Sequence, residues 1–170
     1  MIKPYTKEDI LREKIIKLAL LQYKKEYIHG SNGPNSFDCA GLIWYVYNEI
    51  LHINVYENGK GQSTTTKIMT NPIGILTTYE ENNKLKDLSI IKTGDILLFH
   101  RQSLKENKPT INNKYPGHCG IYLSNNYFIH CTKKTGYITI DRLNINTYWY
   151  RKLVGVKNIV SDQKTYIKNK

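Results

Sequence analysis

The sequence has few cysteines and no long apolar run. Its 170 residues contain three cysteines, an odd number in a chain too long to depend on covalent cross-links, so structural disulfides are not expected. No window is apolar enough to cross a membrane, and we expect no membrane insertion. Residues 1–25 lack an uninterrupted apolar segment and a small-residue cleavage site. This predicts a chain without a secretory signal, cytoplasmic until it is released or delivered.

Acidic side chains are scarce relative to basic ones. The chain has 14 Asp and Glu against 25 Lys and Arg, which gives a net charge of +11. Such a charge favours an anionic partner, which could be nucleic acid, an anionic membrane surface or an anionic wall polymer. The lysines are scattered rather than clustered, so we expect a general electrostatic attraction and no specific recognition of nucleic acid.

The chain is long enough for one domain with a hydrophobic core, and its first half has helical patterns. A helix is predicted over 7–23, because Thr6 and Asp9 form a capping-box pattern and apolar residues then recur at helical spacing. Residues 52–92 are polar and irregular, which is typical of a functional loop, and a short helix over 64–69 interrupts them.

The second half of the chain carries the short apolar runs of β-strands. Two of these runs are joined by Ser124, Asn125 and Asn126, which favour a hairpin turn. Because the helical patterns come first and the strand patterns follow, we predict a single α+β domain over 1–160. Its helices would pack on a mostly antiparallel sheet of about five strands. Residues 161–170 are predicted to form a polar C-terminal tail. The predicted strands are 96–99, 117–123, 127–132, 137–140 and 148–157.

The stretch from Asn35 to Ile43 combines a turn with the start of a second helix. Asp38 is a good N-cap, because its carboxylate can accept hydrogen bonds from the free N–H groups of the first turn. Cys39 then occupies the first helical position, where the helix dipole favours the thiolate and lowers the pKa of the thiol. Cys39 is therefore a candidate nucleophile. The alternative is a small buried apolar residue, the commonest role of a free cysteine.

Two histidines could supply the base that a nucleophilic cysteine needs. His118 and His130 lie on the two arms of the predicted hairpin, and a turn near Asn125 would place Gly120 opposite His130. The two imidazoles would then be diagonal neighbours on one face of the sheet. One can accept the thiol proton while the other fixes its tautomer, which gives a Cys39–His118–His130 triad. A single histidine in a strand is more often structural, but two beside a helix-start cysteine favour catalysis.

A metal site is a second interpretation of the same segments. His118, Cys119, His130 and Cys131 could be ligands, but adjacent strand residues point to opposite faces and no Cys-x-x-Cys spacing is present. We therefore expect no metal and no cofactor, and we interpret Cys119 and Cys131 as small core residues on the other face of the sheet. The remaining histidines are expected on the surface or behind the residues that react: His29, His52 and His100.

Five segments, in this order, resemble the NlpC/P60 family of cysteine peptidases. They are FDCAGLI at 37–43, TGDILLF at 93–99, GHCGIYL at 117–123, FIHC at 128–131 and YWYRKLVGVK at 148–157. The resemblance extends from about residue 27 to residue 157. It implies a papain-like fold, with the nucleophile on an N-terminal helix, and cleavage of bacterial cell-wall peptides.

The resemblance also implies a role for each candidate residue. Cys39 matches the nucleophile, His118 the general base and His130 the polar residue that orients the base. Tyr27 matches a tyrosine that lines the site and helps to bind substrate or oxyanion, although a half-buried turn aromatic is the alternative. Asp38 matches the acidic residue before the cysteine, and the resemblance assigns it with Tyr27 to substrate binding. The Cys39 N–H would stabilise an oxyanion.

Two features depart from the family pattern. Ala40 stands where members usually carry serine, which would remove a polar contact to substrate. The segment 101–116 is longer than usual and lies just before His118, so it could narrow the substrate groove or set specificity.

The sequence thus predicts a cysteine endopeptidase that hydrolyses the D-γ-glutamyl–diamino acid bond of peptidoglycan stem peptides. The absence of a recognisable signal favours a phage lysin, a tail-associated lysin or an injected toxin that reaches the cell wall. An amidase or acyltransferase that uses the same Cys–His site on another amide or lipid is an alternative. A second alternative is a non-catalytic basic binding module, whose phosphate contacts would weaken steeply with salt.

Overall fold

The computed structural model describes residues 4–56, 64–79, 86–100 and 116–161. The predicted loop over 101–116 and the predicted tail over 161–170 lie outside these residues, apart from Pro116 and Ser161. The described elements are α1 (Lys7–Leu20), β1 (Glu26–Tyr27), β2 (Ser36–Phe37), α2 (Cys39–Leu51), α3 (Thr64–Thr70), β3 (Ile75–Thr78), β4 (Ile96–His100), β5 (Pro116–Ser124), β6 (Tyr127–Thr132), β7 (Tyr137–Arg142), α4 (Tyr148–Lys152) and β8 (Leu153–Asn158).

Helix α1 begins at the predicted capping box. The Asp9 N–H donates to Thr6 Oγ1 over 3.1 Å, and the Thr6 N–H donates to the Asp9 carboxylate over 2.8 Å. Ile15 and Ala19 are fully buried, so one side of the helix packs on the core. The helix ends at Leu20 rather than at residue 23, because the chain turns there toward β1. The short helix predicted over 64–69 is confirmed as α3.

The strands of the described residues form one sheet, in the order β2-β1-β7-β6-β5-β4-β8-β3. Every neighbouring pair is antiparallel except β1 and β2, which are parallel. The α+β class and the mostly antiparallel sheet are confirmed, but the described part of the chain contains eight strands instead of about five. The two-residue strands β1 and β2 are too short to show an alternating pattern, and β3 lies in the segment predicted to be irregular.

The predicted strand over 148–157 is wrong in its first half. Residues 148–152 form helix α4, and only 153–158 form a strand. The aromatic run Tyr148-Trp149-Tyr150 has a high β propensity, but Thr147 caps a helix, since its Oγ1 accepts the Tyr150 N–H over 3.3 Å. The helical turn carries Trp149 over one face of the sheet.

The two faces of the sheet bury different clusters. The helix face packs against α1 and α2 and includes Ile96, Leu98, Cys119, Ile121, Ile129 and Cys131. The opposite face, called the histidine face, carries Phe99, Phe128 and the two histidines of β5 and β6, with Trp149 packed against them. No helix of the described ranges is long and apolar enough to cross a membrane.

A buried charge network joins α1 to the start of β4. The Arg12 guanidinium donates to the Asp95 carboxylate over 2.9 Å and to the Thr93 carbonyl over 2.7 Å. It also contacts Glu8 at 2.9 Å and the side-chain oxygen of Asn158 at 3.0 Å. The Asp95 side chain is 2% exposed, so Arg12 is the cation that compensates its buried charge.

Replacing Arg12 with alanine should lower the free energy of unfolding by about 3–5 kcal/mol, because Asp95 would remain as a buried carboxylate without its cation. Urea denaturation would measure the loss. Lys14→Ala, on the exposed side of the same helix, should change the free energy of unfolding by less than about 0.5 kcal/mol. Equal losses in the two variants would contradict the network's role.

Candidate active site

The loop before α2 is folded onto the first turn of that helix. The Gly41 N–H donates to one carboxylate oxygen of Asp38 over 2.7 Å, which confirms the predicted N-cap, and the Gly30 N–H donates to the other over 2.8 Å. At Gly41, a Cβ would lie 2.0 Å from the carbonyl oxygen of Ser31. Loop and helix start therefore form one rigid unit, which fixes the position of Cys39.

Cys39 is the first residue of α2 and is half-buried. Its thiol faces Cys119 and His118 in β5, the two residues that act most strongly on its ionisation. The Cys119 hydrogen bond, and then the hydrogen bond and charge of His118, hold the pKa of Cys39 well below its ordinary value against the effect of burial. Burial and the charge of Cys39 raise the pKa of Cys119. Cys39 is therefore the member of this pair that ionises.

The hairpin of β5 and β6 brings His118 and His130 together. Ile121 lies opposite Ile129, which is the predicted register. Nε2 of His118 is 2.7 Å from Nδ1 of His130, so the predicted pair on one face is confirmed. Gly120 makes room for this contact, because a Cβ at that position would lie 3.1 Å from the His130 Cβ and 2.8 Å from the Phe128 ring.

The chain of polar contacts continues beyond His130 to two residues that the sequence analysis missed. Nε2 of His130 is 3.1 Å from Oδ2 of Asp141 in β7, and Nε1 of Trp149 donates to the same oxygen over 2.8 Å. The predicted strand stopped at residue 140, so Asp141 was not considered. The sequence signal that could have identified Asp141 is a carboxylate in the strand that follows the histidine hairpin.

Aromatic rings enclose the histidine pair. The Trp149 ring stacks on His118 with centroids 5.0 Å apart and meets His130 edge-on at 4.8 Å. From the sheet, the Phe99 ring packs against His118 and the Phe128 ring packs against His130. His130 is fully buried. Burial lowers the pKa of His130 to about 4, although its hydrogen bond to Asp141 acts in the opposite direction.

Two tyrosines lie near the thiol. Tyr27, in β1, is half-buried, and burial and then the charges of Cys39 and Asp38 raise its pKa. Tyr56 was not predicted as a site residue. Its ring stacks on Trp44 of α2, and burial and then the charges of Cys119, Asp38 and Cys39 raise its pKa.

Cys119 and Cys131 are fully buried on the helix face, as predicted, but they also contact the segment that carries the nucleophile. Cys119 lies next to the Cys39 thiol and lowers its pKa, and the Cys131 thiol donates to the Phe37 carbonyl over 3.2 Å. The histidines of the alternative metal site lie on the opposite face. Within the described ranges, no three His, Cys, Asp or Glu side chains are grouped as metal ligands.

The three remaining histidines lie in different environments. His29 is exposed, and so is His52, which ends α2 in a left-handed conformation. His100 is 6% exposed, which excludes the surface and leaves the other predicted position, behind the residues that react. The strand β4 extends one residue beyond the predicted apolar run and takes His100 into the interior.

This arrangement lies within a segment that matches a known family. The model of the NlpC/P60 family matches residues 24–158. The chain belongs to the NlpC/P60 family. The matched segment includes the whole path of contacts from the loop before Cys39 to Trp149.

Relatives of this NlpC/P60 chain include named endopeptidases. It is 27% identical over 143 residues to the probable endopeptidase YafL of Escherichia coli, covering 84% of this chain and 47% of YafL. It is 28% identical over 131 residues to the probable peptidoglycan endopeptidase LytE of Bacillus subtilis, covering 77% of this chain and 29% of LytE. The chain spans half or less of the length of these relatives.

A solved structure shares the fold. The structure of NlpC2 from Trichomonas vaginalis matches with a TM-score of 0.62 at 24% identity, covering 88% of this chain and 47% of that one. The papain-like α+β architecture implied by the family resemblance is therefore confirmed. Ala40, the position expected to have lost a polar contact to substrate, is fully buried in the core of this NlpC/P60 domain.

The burial of neutral His130 should make stability depend on pH. An unfolded histidine binds a proton below about pH 6.5, whereas folded His130 binds one only near pH 4. Between these values the unfolded state binds more protons, so this contribution to stability is complete above pH 6.5 and is lost as pH falls toward 4. His130→Asn should reduce the slope of unfolding free energy against pH by up to about 1.4 kcal/mol per pH unit.

Urea denaturation at several pH values would measure these slopes. His29→Asn makes the same substitution at an exposed position and should keep the wild-type slope. A wild-type slope in His130→Asn would mean that His130 is not held neutral by the fold.

Proposed function

We propose that this NlpC/P60 domain is a cysteine peptidase that hydrolyses peptide bonds of the bacterial cell wall. The observation that carries the proposal is the thiol of Cys39 at a helix N-terminus, with its pKa lowered by the neighbouring His118, whose Nε2 is 2.7 Å from Nδ1 of His130. A lowered thiol pKa and an oriented imidazole are what nucleophilic catalysis by cysteine requires. The endopeptidase names of two relatives support the same reaction class.

The contacts suggest a role for each atom. Nε2 of His118 is engaged with His130, so Nδ1 is the nitrogen available to the thiol. The Cys39 thiolate attacks the scissile carbonyl carbon, and the backbone N–H of Cys39 stabilises the oxyanion that forms. When the C–N bond breaks, the His118 imidazolium gives its Nδ1 proton to the leaving amine. His118 then takes a proton from water, and the resulting hydroxide cleaves the thioester.

The proposed substrate is the stem peptide of peptidoglycan, cleaved between D-γ-glutamate and the following diamino acid. The family resemblance supports this bond, and the name of LytE supports the polymer. The net charge of +11 would attract the domain to anionic cell-wall polymers. We assign Tyr27 and Tyr56 to contact with the peptide, because the charge of Cys39 acts on both. Both carboxylate oxygens of Asp38 accept backbone N–H groups, so Asp38 acts on substrate through the helix start that it caps.

Incubation with purified sacculi tests the reaction. Cys39→Ala should reduce the release of soluble fragments by about 10⁴-fold or more, because the nucleophile is lost. His118→Ala should cause a loss of similar order, whereas His29→Ala, at an exposed histidine, should retain the wild-type rate. Equal release by wild type and Cys39→Ala would refute the peptidase, and salt-sensitive binding without release would support the binding-module alternative.

Mass spectrometry of fragments from defined muropeptides tests the bond. Cleavage after D-γ-glutamate should leave a disaccharide dipeptide and release a peptide that begins with the diamino acid. Separation of the lactyl group from the first alanine would instead identify an amidase, and loss of cross-links alone would identify cleavage between stems. Either result would overturn the proposed bond and leave the nucleophile assignment intact.

A further inference from the structure

Asp141 ends a path of hydrogen bonds that starts at His118, the imidazole next to Cys39. Its Oδ2 lies 3.1 Å from Nε2 of His130 and accepts the indole N–H of Trp149 over 2.8 Å. The Asp141 side chain is 43% exposed, whereas His130 is fully buried. One half-exposed carboxylate therefore contacts the buried imidazole at the nitrogen opposite to the one that faces His118.

The state of the site needed for catalysis restricts where the proton of His130 can be. When Cys39 is a thiolate and His118 is an imidazolium, both nitrogens of His118 are donors. The His118 Nε2–H then needs an acceptor, and Nδ1 of His130 lies 2.7 Å from this nitrogen. Neutral His130 can accept there only if its own proton is on Nε2.

A carboxylate at Nε2 selects that tautomer. Ionised Asp141 accepts hydrogen bonds and donates none, so it favours an N–H on the His130 nitrogen that it contacts. With the other tautomer, a bare His130 Nε2 would face the carboxylate and a His130 Nδ1–H would face the His118 Nε2–H. Both contacts would be repulsive.

Trp149 holds the carboxylate in place. Its Nε1–H binds the same oxygen of Asp141, and its ring lies against both histidines. Thr147 caps α4 and thereby sets the position of Trp149. The oxygen is thus fixed by an indole that itself packs on the proposed base.

We propose that Asp141, anchored by Trp149, is a positioning residue that fixes the tautomer of His130 and, through it, favours the Cys39 thiolate–His118 imidazolium pair. The expected effect of Asp141 on turnover rests on the proposed function, whereas its expected effect on the ionisation of the Cys39 thiol does not. Asp141 touches neither substrate nor the reacting atoms, and it acts only through His130.

The test compares Asp141→Ala with Asp141→Asn and with Asp87→Ala. Alanine removes the acceptor, whereas the carbonyl oxygen of asparagine can still accept from His130 and Trp149. Asp87 is an exposed aspartate whose carboxylate binds Ser89, so its alanine variant removes the same charge outside the site. Peptide mapping after iodoacetamide treatment at several pH values reads the thiolate of Cys39 separately from the two buried cysteines.

Asp141→Ala should reduce the alkylation rate of Cys39 at pH 6 about tenfold and reduce kcat about 10–100-fold, with KM within about twofold. Asp141→Asn should recover both to within about threefold of wild type, and Asp87→Ala should match wild type. If Asp141→Ala alkylates and turns over like Asp87→Ala, the proposal is wrong. If wild type does not cleave peptidoglycan but the alkylation rates follow this order, only the proposed function fails.

A second measurement uses the wild-type protein, so it does not depend on whether a variant folds. ¹⁵N NMR of histidine-labelled wild type distinguishes the two neutral tautomers of His130. A proton on Nε2 supports the proposal, and a proton on Nδ1 overturns it.

Discussion

The hydrogen bond between His118 and His130 is the contact on which the site depends. It needs both rings on the same face of two neighbouring strands, and it needs Gly120 beside them because any side chain there would crowd His130. A slip of one residue between β5 and β6 would turn one ring to the helix face and remove the contact. The register of the hairpin is therefore as important to the chemistry as the histidines themselves.

The sheet acts on the site from both of its faces. The histidine face presents the imidazoles, while the helix face carries two cysteines that contact the nucleophile and the residue before its cap. The Cys131 thiol donates to the Phe37 carbonyl, and Cys119 lies next to the Cys39 thiol. Small side chains at both positions allow α2 to approach the sheet closely, which explains why a cysteine serves there better than a larger apolar residue.

The parts of the site that could be predicted from the sequence are those determined by short-range interactions. Asp38 caps α2 through Gly41, three residues away, and one short turn sets the register that pairs His118 with His130. Asp141 and Trp149 could not be found in this way. Asp141 meets His130 across a strand pair and Trp149 through the separate helix α4, so each contact depends on how complete elements pack.

The same distinction explains the errors in the fold. An alternating pattern reveals a strand only over several residues, so β1 and β2, with two residues each, could not be recognised. The run Tyr148-Trp149-Tyr150 suggested a strand by composition, but the hydroxyl of Thr147 decided the local conformation. His100 was buried by one further residue of β4, which the apolar pattern did not reach.

The stacking of Trp149 on His118 gives the protein a built-in optical probe. A protonated imidazole quenches the fluorescence of an indole in contact with it, and the two rings are 5.0 Å apart. The chain has only two tryptophans, and the other, Trp44, lies in α2 beside Tyr56. His130 contacts the same indole at 4.8 Å, so the emission of a Trp44→Phe protein would report the charge of this histidine pair, without a substrate and without a label.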